Sequence, residues 1–148
     1  MRPMRRRDDR GSALVEVTWL SLLLLVPLVY VVLSVFAVQS GSFAVSGAAR
    51  AAARAYSLAP DEGSAATRAR AAAAVVLRDH DIEPGDADLR ISCRPDPSNC
   101  LAPGSLITVD VRHQVVLPLV PSALGDQAPS FRVEAASTVS YGTFREDR

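Results

Sequence analysis

The sequence predicts an α+β protein: a long N-terminal transmembrane helix that continues into an exported head with a second helix and a small three-stranded antiparallel sheet. Three observations carry that expectation. Val17 to Val38 contains no Asp, Glu, Arg or His. A helical pattern rich in small residues continues beyond it, and from Ala87 onward apolar and polar residues alternate with period two, as in half-buried strands. The chain has 148 residues, one domain's worth of material, but its N-terminal quarter is too apolar to be spent on a soluble core. The expected division is a basic cytoplasmic leader (1–11), a transmembrane helix (12–39), an extracytoplasmic extension of that helix (40–58) and the head (59–148).

At 1.5 Å rise per residue the uncharged run reaches roughly 33 Å, enough to cross the hydrocarbon core of a bilayer. Arg2, Arg5, Arg6, Arg7 and Arg10 precede it, and only Arg50 and Arg54 lie within reach on its far side, which predicts a cytoplasmic N-terminus. The rival is a cleaved secretory signal, whose apolar stretch spans about 7 to 15 residues, far less than this one. Pro27 lies inside the span, where a kink is tolerated if neighbouring groups satisfy the freed carbonyl. Trp19 suits the inner interface, and Tyr30, deeper, is expected to pack against another helix. The formal net charge of zero gives no reason to expect a nucleic-acid partner.

Glu16 stands at the mouth of this span. A carboxylate forced to the bilayer centre costs about 2.5 to 3.5 kcal/mol, and less near the interface. One reading has Glu16 marking the cytoplasmic end of the span, snorkelling into headgroups beside Arg10. The other starts from cleavage after Gly11, which would make Ser12 a charged amino terminus one helical turn from Glu16 on the same face. Glu16 could then pair with the amine of an adjacent subunit and set the register of an assembly. Losing the arm would also remove five arginines that repel their counterparts and resist burial in a helix bundle.

Arg10-Gly11-Ser12-Ala13-Leu14-Val15-Glu16, a long apolar helix, and then Ala48-Ala49-Arg50-Ala51-Ala52-Ala53-Arg54 together resemble the TadE/TadG family of tight-adherence (Tad) type IV pilus assembly proteins and minor pilins. The match covers roughly Arg10 to Tyr56. It implies cutting by a prepilin peptidase at the processing site Gly11–Ser12 and an assembly role for Glu16. It also implies partnership with other pilins and inner-membrane assembly platform proteins. Many relatives carry Phe or Tyr after the glutamate, where this chain has Val17. The alternative is an uncleaved single-pass membrane protein whose extracytoplasmic head binds an envelope or secretion partner.

Beyond Val38, Gly47, Ala51 and Ala55 form one smooth ridge and Ala44, Ala48 and Ala52 another, with Arg50, Arg54 and Ser46 on a different face. These ridges allow close approach either by the chain's own domain or by another subunit. Pro60-Asp61-Glu62 reads as the start of a second helix running to about Asp79 and ending before the turn pair Pro84-Gly85. Its apolar residues are few, so it should lie on the surface of the core.

Three strands should follow. Leu89, Ile91 and Cys93 alternate with Arg90 and Ser92; Ile107, Val109, Val111, Val115 and Leu117 with Thr108, Asp110, Arg112 and Gln114; Phe131, Val133, Ala135, Ser137, Val139 and Tyr141 with Arg132, Glu134, Thr138 and Ser140. No crossover helix separates them, which favours antiparallel order with one face on the helices. Pro118 and Pro121 end the middle strand, with Leu119, Val120 and Leu124 folding back over a sheet end.

Cys93 and Cys100, the only cysteines, are expected to form a disulfide outside the cytoplasm that ties the first strand to the loop Arg94–Asn99. A metal site would need partnering ligands that their surroundings in the sequence do not supply. His80 and His113 have no acid or nucleophile at motif spacing. Asp79, Asp81, Glu83, Asp86 and Asp88 lack the calcium-loop pattern and read as a solvated turn. No phosphate-binding glycine loop appears. The expectation is a protein with no enzymatic activity, cofactor, metal or small-molecule substrate.

Overall fold

The structure, a computed structural model, describes residues 10–118 and 129–144. Among the described residues helix α1 spans Arg10–Ser57, α2 spans Glu62–Arg78, a 3-10 turn covers Pro84–Asp86, and the strands are β1 (Ala87–Arg94), β2 (Leu106–Val116) and β3 (Ser130–Ser140). The architecture is α+β, as the periodicities predict. Most of the leader, and the segment containing Leu119, Val120, Pro121 and Leu124, lie outside the described residues.

α1 is one uninterrupted helix of 48 residues that runs through Pro27. Its first half and second half have different surroundings. By length and composition it is apolar enough to cross a membrane, and its most apolar eighteen-residue stretch is not buried anywhere by the rest of the chain. From Gly41 onward the same helix becomes the spine of the head: Ala44, Val45, Ala48, Ala49, Ala52, Ala53 and Tyr56 are buried. Two adjacent columns are covered because α2 packs on one side and β2 and β3 on the other. The Ala44–Ala48–Ala52 ridge is therefore buried within its own chain, while Gly47, Ala51 and Ala55 are half-buried.

The short link after Ser57 turns the chain back, and α2 runs antiparallel to α1. Tyr56 meets Glu62, Gly47 meets Val76, and Ser40 meets His80. The start of α2 differs slightly from the expectation. Asp61 is the N-cap, accepting from the Ser64 backbone N–H at 2.8 Å, so Pro60 precedes the helix and does not occupy its first turn. One face, Ala65, Ala69, Ala73 and Leu77, is buried, and α2 lies on the surface of the core as its sparse apolar residues predict. Its end is a Schellman turn: Ile82 N–H donates to Leu77 O at 3.0 Å and Asp81 N–H to Arg78 O at 3.0 Å, with Asp81 left-handed at φ 58° and Ile82 buried near Leu77.

The sheet has order β1-β2-β3 and is antiparallel throughout. Ile107 pairs with Cys93 and Val139, Val109 with Ile91 and Ser137, and Val111 with Leu89 and Ala135. These rows form the face toward α1, and Ile107, Val109 and Val111 are wholly buried. Full burial of such side chains contributes about 1.5–3 kcal/mol each. Because the side-chain period is two, a one-residue slip would turn all three to solvent, so this row fixes the register. β2 ends at Val116, and Leu117 continues beyond it with its N–H on Pro129 O at 3.2 Å. At the opposite end Gly104, with φ +83°, makes the tight turn that lets its N–H reach Tyr141 O at 3.1 Å.

Candidate functional site

The predicted processing residues Gly11 and Ser12 lie in the first turn of α1, where backbone N–H groups lack intrahelical partners. Glu16 follows within the same uninterrupted helix and is exposed. Around it the surface is apolar: Leu14, Val15, Val17, Trp19 and Leu20 are all more than half exposed. Two of the hydroxyls along this half bond back to their own helix. Thr18 Oγ1 donates to Leu14 O and Ser34 Oγ to Tyr30 O, both at 2.8 Å. From Leu14 to Val38 the Glu16 carboxylate is the one charged group on this surface.

A second cluster stands where α1, α2 and the disulfide loop meet. Cys93 and Cys100 are disulfide-bonded, with their Cα atoms 5.4 Å apart. Glu62, in the first turn of α2, accepts from the Tyr56 hydroxyl at 2.7 Å, from Leu101 N–H at 3.2 Å and from Cys100 N–H at 3.4 Å. One carboxylate thus fastens the end of the long helix, the start of the second and the base of the loop. Burial, with Glu62 as hydrogen-bond acceptor and nearby negative charge, pushes the Tyr56 hydroxyl well above its ordinary pKa of 10.0. Within the loop, Asp96 accepts from the Ser98 hydroxyl at 2.7 Å and the Ser98 N–H at 2.9 Å, which hold its carboxyl below the usual range. The sequence marks Glu62 only as an acid at a helix start. Its backbone donors come from 38 and 39 residues away, and no local pattern announces them.

Both histidines line one shallow groove of about 250 Å3 together with Ser40, Gly41, Ile82 and Val115. His113 Nδ1 lies 2.9 Å from Asp86 O and acts as donor there; His80 Nδ1 is 3.5 Å from Ser40 Oγ. The sequence places one histidine at a helix end and the other in a strand, and tertiary folding brings them to the same wall. Among the described residues, no group of three or more His, Cys, Asp or Glu side chains is arranged to hold a metal ion. Of the acidic run, Asp88 pairs with Arg90 at 3.0 Å on the exposed sheet face.

Tyr30, expected against another helix, borders a groove of about 380 Å3 with Val31, Ser34, Val35, Val38, Gln39, Leu117 and Phe131. Within this chain its neighbours across the groove belong to the sheet end. The fold and these sites define a small α+β head carried on one continuous helix whose N-terminal half is exposed apolar surface. Comparison with protein-family models, curated proteins and solved structures gives no match.

Proposed function

We propose that this chain is a TadE-like minor pilin or pilus-assembly component, held in the cell membrane by α1 with its N-terminus cytoplasmic and its head outside. In this reading a prepilin peptidase cuts between Gly11 and Ser12. The freed rod then associates laterally through α1, with Glu16 of one copy answering the new amine of another. Other pilins and inner-membrane assembly platform proteins are its partners. The head serves as a structural and binding unit and carries out no reaction. What supports the reading best is the continuity of α1 from Arg10 to Ser57, apolar and exposed below, spine of the head above, with a lone carboxylate at its mouth.

Mass spectrometry of protein from native membranes tests the cleavage: a terminal peptide beginning at Ser12 is expected. A retained arginine arm would favour the second reading, an uncleaved single-pass protein whose head binds an envelope or secretion partner. Val17, standing where relatives have an aromatic residue, is the observation on that side. Glu16→Ala should abolish lateral assembly while leaving membrane insertion intact; unimpaired assembly of that variant would remove the role assigned to Glu16.

A further inference from the structure

The end of the sheet nearest the apolar half of α1 is unlike the rest of the sheet. β2 runs toward that half: Val115 is packed against Gly41 so closely that a Cβ at Gly41 would collide with it. Two residues further, roughly 7 Å along an extended chain, lies Leu117. On α1 the same distance leads from Gly41 back to about Phe36 or Ala37. A span of about 20 residues beginning at Val17 ends at that level. The sheet end therefore stands at the edge of the apolar helix surface.

Its polarity changes there too. The outward face of β2 reads Thr108, Asp110, Arg112 and Gln114, then Val116, which is 61% exposed. On the inward face Phe131, paired with Val115, is 54% exposed despite pointing to the α1 side. It looks across an open apolar groove walled by Tyr30, Val31, Val35 and Val38, with Leu117 beside it. At this end exposed apolar side chains stand on both faces of the sheet, Val116 beside Ser130 on one and Phe131 on the other, and a polar row of Gln114 and Arg132 sits one residue above Phe131. An apolar tip below an arginine matches the layering of a leaflet, acyl chains beneath and phosphates above.

We propose that Val116, Leu117 and Phe131 insert into the leaflet on the head's side of the membrane. Phospholipid acyl chains fill the groove between Phe131 and Tyr30–Val38, and Arg132 meets headgroup phosphates. The proposal rests on the reading of α1 as a membrane span. The head is then seated on the bilayer by a second contact and does not swing freely above it.

Tryptophan quenching by brominated phospholipids tests this in full-length protein reconstituted into phosphatidylcholine/phosphatidylglycerol vesicles. Trp19, the only tryptophan, reports the span in the parent protein. Phe131→Trp, in a Trp19→Phe background, reports the sheet end. Phe144→Trp in the same background reports the opposite end of the head, where Thr143 adjoins Gly104. Both positions are exposed, so the substitutions leave the core intact. The expected result is strong loss of emission for tryptophan at position 131 with bromine at shallow acyl positions, weaker loss with deep bromine, and no loss at position 144. Emission at 131 quenched by aqueous iodide and untouched by lipid would overturn the proposal, leaving the sheet end in water. Emission shielded from both quenchers would overturn it, placing protein and not lipid in the groove. If Trp19 itself escapes lipid quenching, the membrane reading falls and the proposal with it.

Discussion

Removing the Glu62 carboxylate is the most demanding perturbation of the head. Glu62→Ala leaves the Tyr56 hydroxyl, in a side chain only 5% exposed, without its 2.7 Å acceptor, and strips Leu101 N–H and Cys100 N–H of theirs. Hydrogen bonds to a charged group contribute about 1.5–3 kcal/mol, and the two backbone bonds are longer and partly replaceable by water, so the expected loss is about 2–4 kcal/mol. For a head near a hundred residues this lowers the melting temperature by roughly 10 to 30 °C. Circular dichroism of the full chain in detergent micelles reads it, since the apolar half of α1 stays helical there while the head melts. Glu62→Gln should fall between Ala and the parent. A double-mutant cycle with Tyr56→Phe isolates the pair, with an expected coupling of about 1–2 kcal/mol. If Glu62→Ala melts within a few degrees of the parent, or if the cycle gives no coupling, the carboxylate does not fasten the three elements and this account of the head is wrong.

The same pair makes stability depend on alkaline pH. Tyr56 has a folded-state pKa raised above its ordinary 10.0, so its contribution is complete below pH 10 and is lost as pH climbs beyond that toward the folded value. Urea midpoints measured across alkaline pH should fall in the parent and fall less in Tyr56→Phe. Reducing the Cys93–Cys100 disulfide, which closes a short loop of sequence separation 7, should cost about 2.5 kcal/mol by the chain-entropy relation, read as a lower urea midpoint in dithiothreitol. Gly41→Ala should destabilise the head by about 1–2 kcal/mol, because the new methyl overlaps buried Val115 and overpacking exceeds the gain in helix propensity. Gly47→Ala meets Val76 Cγ1 at 3.0 Å at a half-buried site, where a helix-propensity gain of about 1 kcal/mol offsets the crowding and leaves the melting temperature nearly unchanged.

The elements themselves were legible in the order of the residues. A long uncharged run dictates an apolar helix long enough to cross a membrane, and the period-two alternation in Leu89–Cys93, Ile107–Val115 and Phe131–Tyr141 marks which side of each strand faces the helices. These signals are local: each needs only the polarity of residues a few positions apart. Even the Cys93–Cys100 pairing follows from there being two cysteines.

What those elements meet was settled by packing in three dimensions. The alanine ridges after Gly41 suit a neighbour of either origin; for Ala44, Ala48 and Ala52 the choice went to α2 and the sheet of the same chain, which cover them, while Gly47, Ala51 and Ala55 stay half-buried. Glu62, read as a helix-start acid, became a three-way fastening through donors some forty residues away. His80 and His113 came to share a groove, and the strand end carrying Leu117 and Phe131 came to face Tyr30 along the apolar helix. Such meetings depend on how the chain returns in space once loops close and sheets pair. Polarity patterns along one strand or helix carry no record of that return, since the same pattern suits any partner of matching shape and chemistry.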